Sequence, residues 1–144
     1  GHGFTYGGHP VPAAVALKAI EIYQSDRIVE YAAARAPQFQ ARLNALAAHP
    51  LVGEARGLGL IGGVELVADK NTRRAFAPQY AVGARAVAFA EAEGLIVRSV
   101  MGDVITLCPP LIITAAEIDA LFDRLTRALD RTLDWVTRER LAQE

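Results

Sequence analysis

Apolar residues recur at helical spacing in four stretches of this chain and at strand spacing between them. Val11, Val15, Leu17, Ile20, Ile22 and Tyr23, with alanines between, predict a helix from about Pro12 to Gln24. Pro10 or Pro12 suits its first turn, where no N–H is required. Ser25-Asp26 offers a cap for a second helix, in which Ile28, Val29, Tyr31, Ala32, Phe39, Leu43 and Leu46 share one face and Pro37 marks a kink or break. Its alanines widen that face, so close packing between other elements is expected. Gln79 to Glu93 resumes helical spacing, with Gly94 as the residue that ends it. Thr114-Ala115-Ala116-Glu117 matches a capping box, in which threonine and glutamate satisfy each other's backbone donors. It heads a core-facing stripe of Ile118, Leu121, Phe122, Leu125, Leu129, Leu133 and Val136, with charged residues on the solvated side.

Between the helices, Gly63-Val64-Glu65-Leu66-Val67 alternates as a strand does. Leu95-Ile96-Val97 and Val104-Ile105-Thr106-Leu107 flank the turn Met101-Gly102-Asp103, which predicts a hairpin. Asp69 to Arg74 is polar and turn-forming. Gly57-Leu58-Gly59-Leu60-Ile61-Gly62 matches G-x-G-x-x-G, the dinucleotide fingerprint. That fingerprint works only where a strand precedes it and a helix begins within it. Here a strand follows, so no helix N-terminus is available for a pyrophosphate and the nucleotide reading is rejected. The glycines instead mark bulges or close backbone approach against something bulky. The resulting order of elements indicates a small mixed α/β domain, its sheet at least partly antiparallel, with helices covering one face.

A length of 144 residues, 52% of them apolar, suits one domain with an ample core. A net charge of -1 and a pI near 6.3 leave no electrostatic footprint for nucleic acid or an anionic membrane. Arg73-Arg74 and the Arg138 to Arg140 patch read as solvated surface. No apolar run is long enough to span a membrane, and the N-terminus has no basic region followed by a hydrophobic one. A single cysteine, Cys108, cannot close an intramolecular disulfide; a reduced cytoplasmic setting and a small buried residue at the end of an apolar strand are expected. No metal site is expected.

Two positions carry candidate chemistry. The string Gly1-His2-Gly3-Phe4-Thr5-Tyr6-Gly7-Gly8-His9-Pro10 sets a hydroxyl and flexible backbone directly before a helix, whose first turn leaves N–H groups unpaired. A phosphate or carboxylate could sit there with the Thr5 hydroxyl as a further donor; the plainer reading is a tight loop entering a helix. Arg98 stands at the end of the outgoing hairpin strand, where a guanidinium could take a carboxylate through two parallel hydrogen bonds, or lie exposed in solvent.

Three segments resemble one family. HGFTYGGHPVPAAVALKAIEIY, VGEARGLGLIGGVELV and CPPLIITAAEID are similar to the C-terminal portion of class III pyridoxal-phosphate-dependent aminotransferases, the omega-aminotransferase group. The resemblance covers nearly the whole chain. It implies the C-terminal part of a fold-type I pyridoxal-phosphate transferase, with residues 1–48 linking from a large domain and 49–144 forming the small domain. It implies pyridoxal 5'-phosphate as cofactor, with Thr5, helped by Tyr6, contacting its phosphate in the active site of the partner subunit of a homodimer. It places Arg98 on the carboxylate of an amino-acid or keto-acid substrate, swinging away for uncharged amines.

In the resembled family the Schiff-base lysine and the carboxylate against the pyridine nitrogen belong to a large domain that would precede Gly1. Lys18 and Lys70, the only lysines here, match neither context and are expected to face solvent. No catalytic residue is therefore assigned within this chain, which is expected to be inactive alone. The implied reaction moves an amino group from an amine or ω-amino acid to pyruvate or a similar keto acid. A related enzyme such as an aminomutase, or a non-catalytic anion-binding or oligomerisation module, is the alternative.

Overall fold

The computed structural model describes residues 3–142; Gly1 and His2 of the glycine-rich string lie outside them. In chain order the described elements are α1 (Pro10–Ser25), α2 (Ile28–Ala45), β1 (Val52–Leu58), β2 (Ile61–Leu66), α3 (Val82–Ala92), β3 (Arg98–Val100), β4 (Val104–Leu107) and α4 (Ala115–Arg138), with 3-10 turns at Leu46–Ala48 and Pro78–Tyr80. The strands form one sheet in the order β1-β2-β4-β3, antiparallel at every step. Val64, Leu66, Ile105 and Leu107 alternate into the core, where α2 lies against β1 and β2, α3 against β3 and β4, and α4 packs on both helices. The capping box forms as expected: the Glu117 N–H donates to Thr114 Oγ1 at 3.2 Å and the Thr114 N–H to the Glu117 carboxylate at 2.8 Å. These Thr114 donors hold the Glu117 carboxyl below the usual carboxylate range.

The G-x-G-x-x-G run is the centre of the β1–β2 hairpin, so two strands occupy the region where the sequence predicts one. Gly57 and Gly62 face each other across the ladder. A Cβ on Gly57 would fall 2.3 Å from the Ile61 carbonyl oxygen and 2.7 Å from Leu43 Cδ2, and one on Gly62 would fall 2.9 Å from Leu43 Cδ2. Leu43 and Phe39, both fully buried, therefore rest directly on the hairpin backbone. Gly59 makes the turn in the left-handed region at φ 60°. Close approach to a bulky helix face, not nucleotide binding, explains these glycines.

Several expectations are corrected. Pro37 neither breaks nor ends α2, because the carbonyl it frees is that of the exposed Ala33, which solvent can serve. Ser25-Asp26 does not cap α2; the chain enters it through Arg27 at φ 51°, with no side-chain cap. The fully buried residues of α2, Phe39 and Leu43, both lie in its C-terminal half; earlier in the helix Ala32 packs only partly against the core and Val29 is 62% exposed. The outgoing hairpin strand is Arg98–Val100 rather than Leu95-Ile96-Val97, so Arg98 opens the strand instead of ending it. The tight turn pairs Val100 with Val104, and the opposing ladder closes after Leu107 at Pro109-Pro110, which lack the N–H to extend it. The same prolines lead the chain off the sheet and leave Cys108 exposed, contrary to the buried position expected.

His49 makes stability depend on pH. Its imidazole is held below its ordinary value of 6.5, chiefly by burial; the Asp130 carboxylate, 3.4 Å from Nε2, opposes this and Lys70 adds to it. Nδ1 accepts from the Leu51 N–H at 3.2 Å, which also favours a neutral ring. Because the folded state binds the proton less readily than the unfolded chain, stability is full above the ordinary value. It falls as pH drops through 6.5 toward the lowered one. Urea midpoints at pH 7.5 and 5.5 should thus fall further for the parent chain than for His49→Gln; equal falls would remove His49 as the cause.

Candidate functional site

The loop ahead of α1 is a chain of tight turns. The Gly7 N–H donates to the Phe4 carbonyl at 2.8 Å and the His9 N–H to the Tyr6 carbonyl at 3.1 Å. His9 is the N-cap, its Nδ1 accepting from the Val11 N–H at 3.2 Å, and its ring meets Tyr6 edge-on at 5.9 Å. This corrects the expectation of unpaired donors in the first turn. Pro10 and Pro12 have no N–H, Val11 gives its own to His9, and the Ala13 N–H bonds the His9 carbonyl. His9-Pro10, the cap and the first residue of the helix, is the sequence signal that shows this. Any anion held here must rest on the loop itself.

Within that loop Thr5 and Tyr6 are exposed, and the Thr5 hydroxyl donates to no described residue. A hydroxyl and short, glycine-flanked backbone suit one side of a phosphate but lack a cation to complete a site. The helix behind the loop is equally open. Every residue of α1 is exposed, including Val11, Val15, Leu17 and Ile20 at 53 to 64%. The apolar side chains of this helix therefore stand in solvent without one buried residue among them.

Arg98 lies at the other side of the sheet. It opens β3, the edge strand, opposite Thr106, whose hydroxyl donates to the Arg98 carbonyl at 3.1 Å. Ser99 pairs with the buried Ile105 and faces the helices, which turns Arg98 to the uncovered face. Gly63 and Arg56 continue the same cross-strand row. Arg56 is occupied by Glu65 at 2.9 Å and Glu54 at 3.6 Å, whereas the Arg98 guanidinium has no carboxylate partner among the described residues. The structure does not bring Thr5 and Tyr6 together with Arg98: α1 packs on α2, and β3 borders β4 and α3.

Lys18 and Lys70 are exposed, as expected. Lys18 pairs with Glu21 at 2.9 Å, and Lys70 donates to the carbonyls of Ala47 and His49. Among the described residues no cluster could hold a metal ion, and no helix is long and apolar enough to cross a membrane.

A four-stranded antiparallel sheet with helices on one face, led by an unburied helix and its glycine-rich loop, is the C-terminal portion of a fold-type I pyridoxal-phosphate transferase. The aminotransferase class-III family model matches residues 1–129, and the chain belongs to that family. It is 46% identical to the putrescine–pyruvate aminotransferase of Pseudomonas aeruginosa, over 91% of this chain and 28% of that protein. It is 42% identical to a probable mitochondrial gamma-aminobutyrate transaminase 3 of Oryza sativa subsp. indica, over 99% of this chain and 27% of that protein. Among solved structures, an aminotransferase of Vibrio fluvialis in its PMP-bound form superposes with TM-score 0.85 at 40% identity, covering 92% of this chain and 29% of that one. The chain thus spans under a third of the length of these relatives.

Proposed function

We propose that this chain is the C-terminal portion of a pyridoxal-phosphate-dependent aminotransferase that transfers an amino group from an amine or ω-amino acid to pyruvate or a similar keto acid. The observation that carries this reading is the family match across residues 1–129, which takes in both the Thr5 loop and Arg98. The cofactor, when bound, supplies the carbonyl that takes up the amino group and the sink for the electrons released as a proton moves. Thr5 donates its hydroxyl to the phosphate, beside Tyr6, and Arg98 receives the substrate carboxylate on two parallel N–H donors. A site shared across a homodimer is supported by the separation of the two groups in one chain and by the unburied α1 between the loop and the core.

The test is intact mass and visible absorbance of the purified protein after addition of pyridoxal phosphate, with borohydride reduction. The expected result is a larger polypeptide, or a second chain, labelled at one lysine outside these 144 residues. Only this chain, with no reducible adduct beyond scattered labelling of Lys18 and Lys70, would overturn the reading and favour a non-catalytic module. In the complete protein, Thr5→Ala removes one hydrogen bond to a charged group and should weaken cofactor retention about ten-fold. Fluorescence titration with pyridoxal phosphate measures this, and unchanged retention removes Thr5 from the phosphate.

A further inference from the structure

The least supported strand of the sheet carries the guanidinium that needs the most exact aim. β3 is three residues long and, among the described residues, has β4 as its only ladder neighbour. Its place therefore depends on the turn that joins the two strands and on α3 beneath them. Resting on the reading of Arg98 as the carboxylate receptor, we infer that Asp103 is a positioning residue that holds the β3–β4 hairpin, and with it Arg98, against the start of α3.

The start of α3 lacks a local cap. Ala81 precedes it at φ 47° and has no side chain able to accept a hydrogen bond. The acceptor comes from the hairpin turn instead: Asp103 Oδ1 takes the Gly83 N–H at 2.8 Å. In doing so it satisfies one of the donors a helix leaves open at its first turn. The contact has no slack. A Cβ on Gly83 would lie 2.9 Å from Asp103 Oδ1 and 3.0 Å from both Asp103 Cα and Ser99 Cβ. The helix start thus touches Ser99, the residue next to Arg98, as well as the turn.

Asp103 is anchored on its other side too, since its carbonyl accepts the Leu66 N–H of β2 at 3.2 Å. It sits in the left-handed region at φ 55°, where asparagine and glycine are the residues most readily accommodated and aspartate is tolerated. One residue therefore fastens the hairpin tip to α3 by its side chain and to β2 by its backbone. With the tip held and Ser99 pressed on Gly83, β3 cannot rotate, and Arg98 stays on the uncovered face opposite Thr106. Loss of the side-chain bond frees the tip and lets the edge strand drift, which spreads the guanidinium over orientations that miss the carboxylate.

Two substitutions separate the bond from the backbone. Asp103→Gly removes the acceptor while keeping, and easing, the left-handed turn; Asp103→Asn keeps both acceptor and turn. Each is compared with Arg98→Ala in the complete, cofactor-loaded protein, using calorimetric binding of valerate, an unreactive carboxylate. The KM for pentylamine, which has no carboxylate, and amide hydrogen exchange over residues 98–106 are read alongside. Asp103→Gly should weaken valerate about five-fold or more and speed exchange over 98–106, with pentylamine KM unchanged and Asp103→Asn within about two-fold of the parent. If Arg98→Ala weakens valerate and Asp103→Gly does not, the positioning role is overturned while the Arg98 reading stands. If Arg98→Ala has no effect on valerate, that reading fails and the positioning role with it. Equal losses for valerate and pentylamine, with exchange rising throughout the domain, would reduce Asp103 to a general structural residue.

Discussion

Phe122→Ala is expected to destabilise the domain by about 3–5 kcal/mol, read from urea unfolding followed by far-ultraviolet circular dichroism. Phe122 is 1% exposed on α4 and meets the Phe39 ring of α2 edge-on, with centroids 5.1 Å apart and planes at 65°. Arg42 adds a guanidinium 5.9 Å from the same ring, held there by Asp119 and Asp123 of α4. Truncation removes the ring from water-free surroundings and also from Phe39, an aromatic pairing worth about 0.5–1.5 kcal/mol beyond area alone. Phe39 and Leu43 are themselves wedged over Gly57 and Gly62, so the helix cannot sink further to fill the void. Phe122→Leu should cost less, because most of the volume remains. A loss below about 1 kcal/mol for the alanine variant would mean that α2 and α4 close over the gap, contrary to the rigid stacking on the hairpin.

The largest functional effect is expected at Arg98. In the complete enzyme Arg98→Ala should lower kcat/KM for a carboxylated donor such as an ω-amino acid about 100-fold, since charge-assisted hydrogen bonds are worth about 1.5–3 kcal/mol. An uncharged amine of similar length should lose less than about two-fold, because it presents nothing for the guanidinium to bind. Arg98→Lys should recover only part of the loss: a lysine keeps the charge but not the planar pair of donors. The uncovered sheet face and the absence of a carboxylate partner for Arg98 among the described residues leave the group available for this role. Steady-state kinetics with paired substrates decides it. Equal losses on both substrates would assign Arg98 to structure rather than recognition.

Much of this architecture is legible in the chain itself. The stripe from Ile118 to Val136 and the Thr114–Glu117 box specify α4, because a helix's period and its first-turn chemistry are both local. Rejection of the nucleotide motif at Gly57 to Gly62 also follows from local order, since a strand comes after it. Strand limits are less local. Leu95-Ile96-Val97 has the right composition for a strand, yet Ile96 is 93% exposed and Arg98 begins the ladder, because pairing with β4 sets the register. The head of α1 shows the same limit at a site: donors expected to be open are used by His9 or absent at the prolines.

The sequence by itself determined the helices, the hairpin turn and the α4 capping box, because periodicity and capping act within a few positions, and its literal strings carried the resemblance to the family. Only the tertiary structure decided that β1 exists, that Gly57 and Gly62 make room for Leu43, that Arg98 faces the open side of the sheet and that Asp103 caps α3 across 20 positions. Each of those depends on which distant groups meet. Ladder register, steric fit and a borrowed hydrogen bond have no signature in any one stretch of chain.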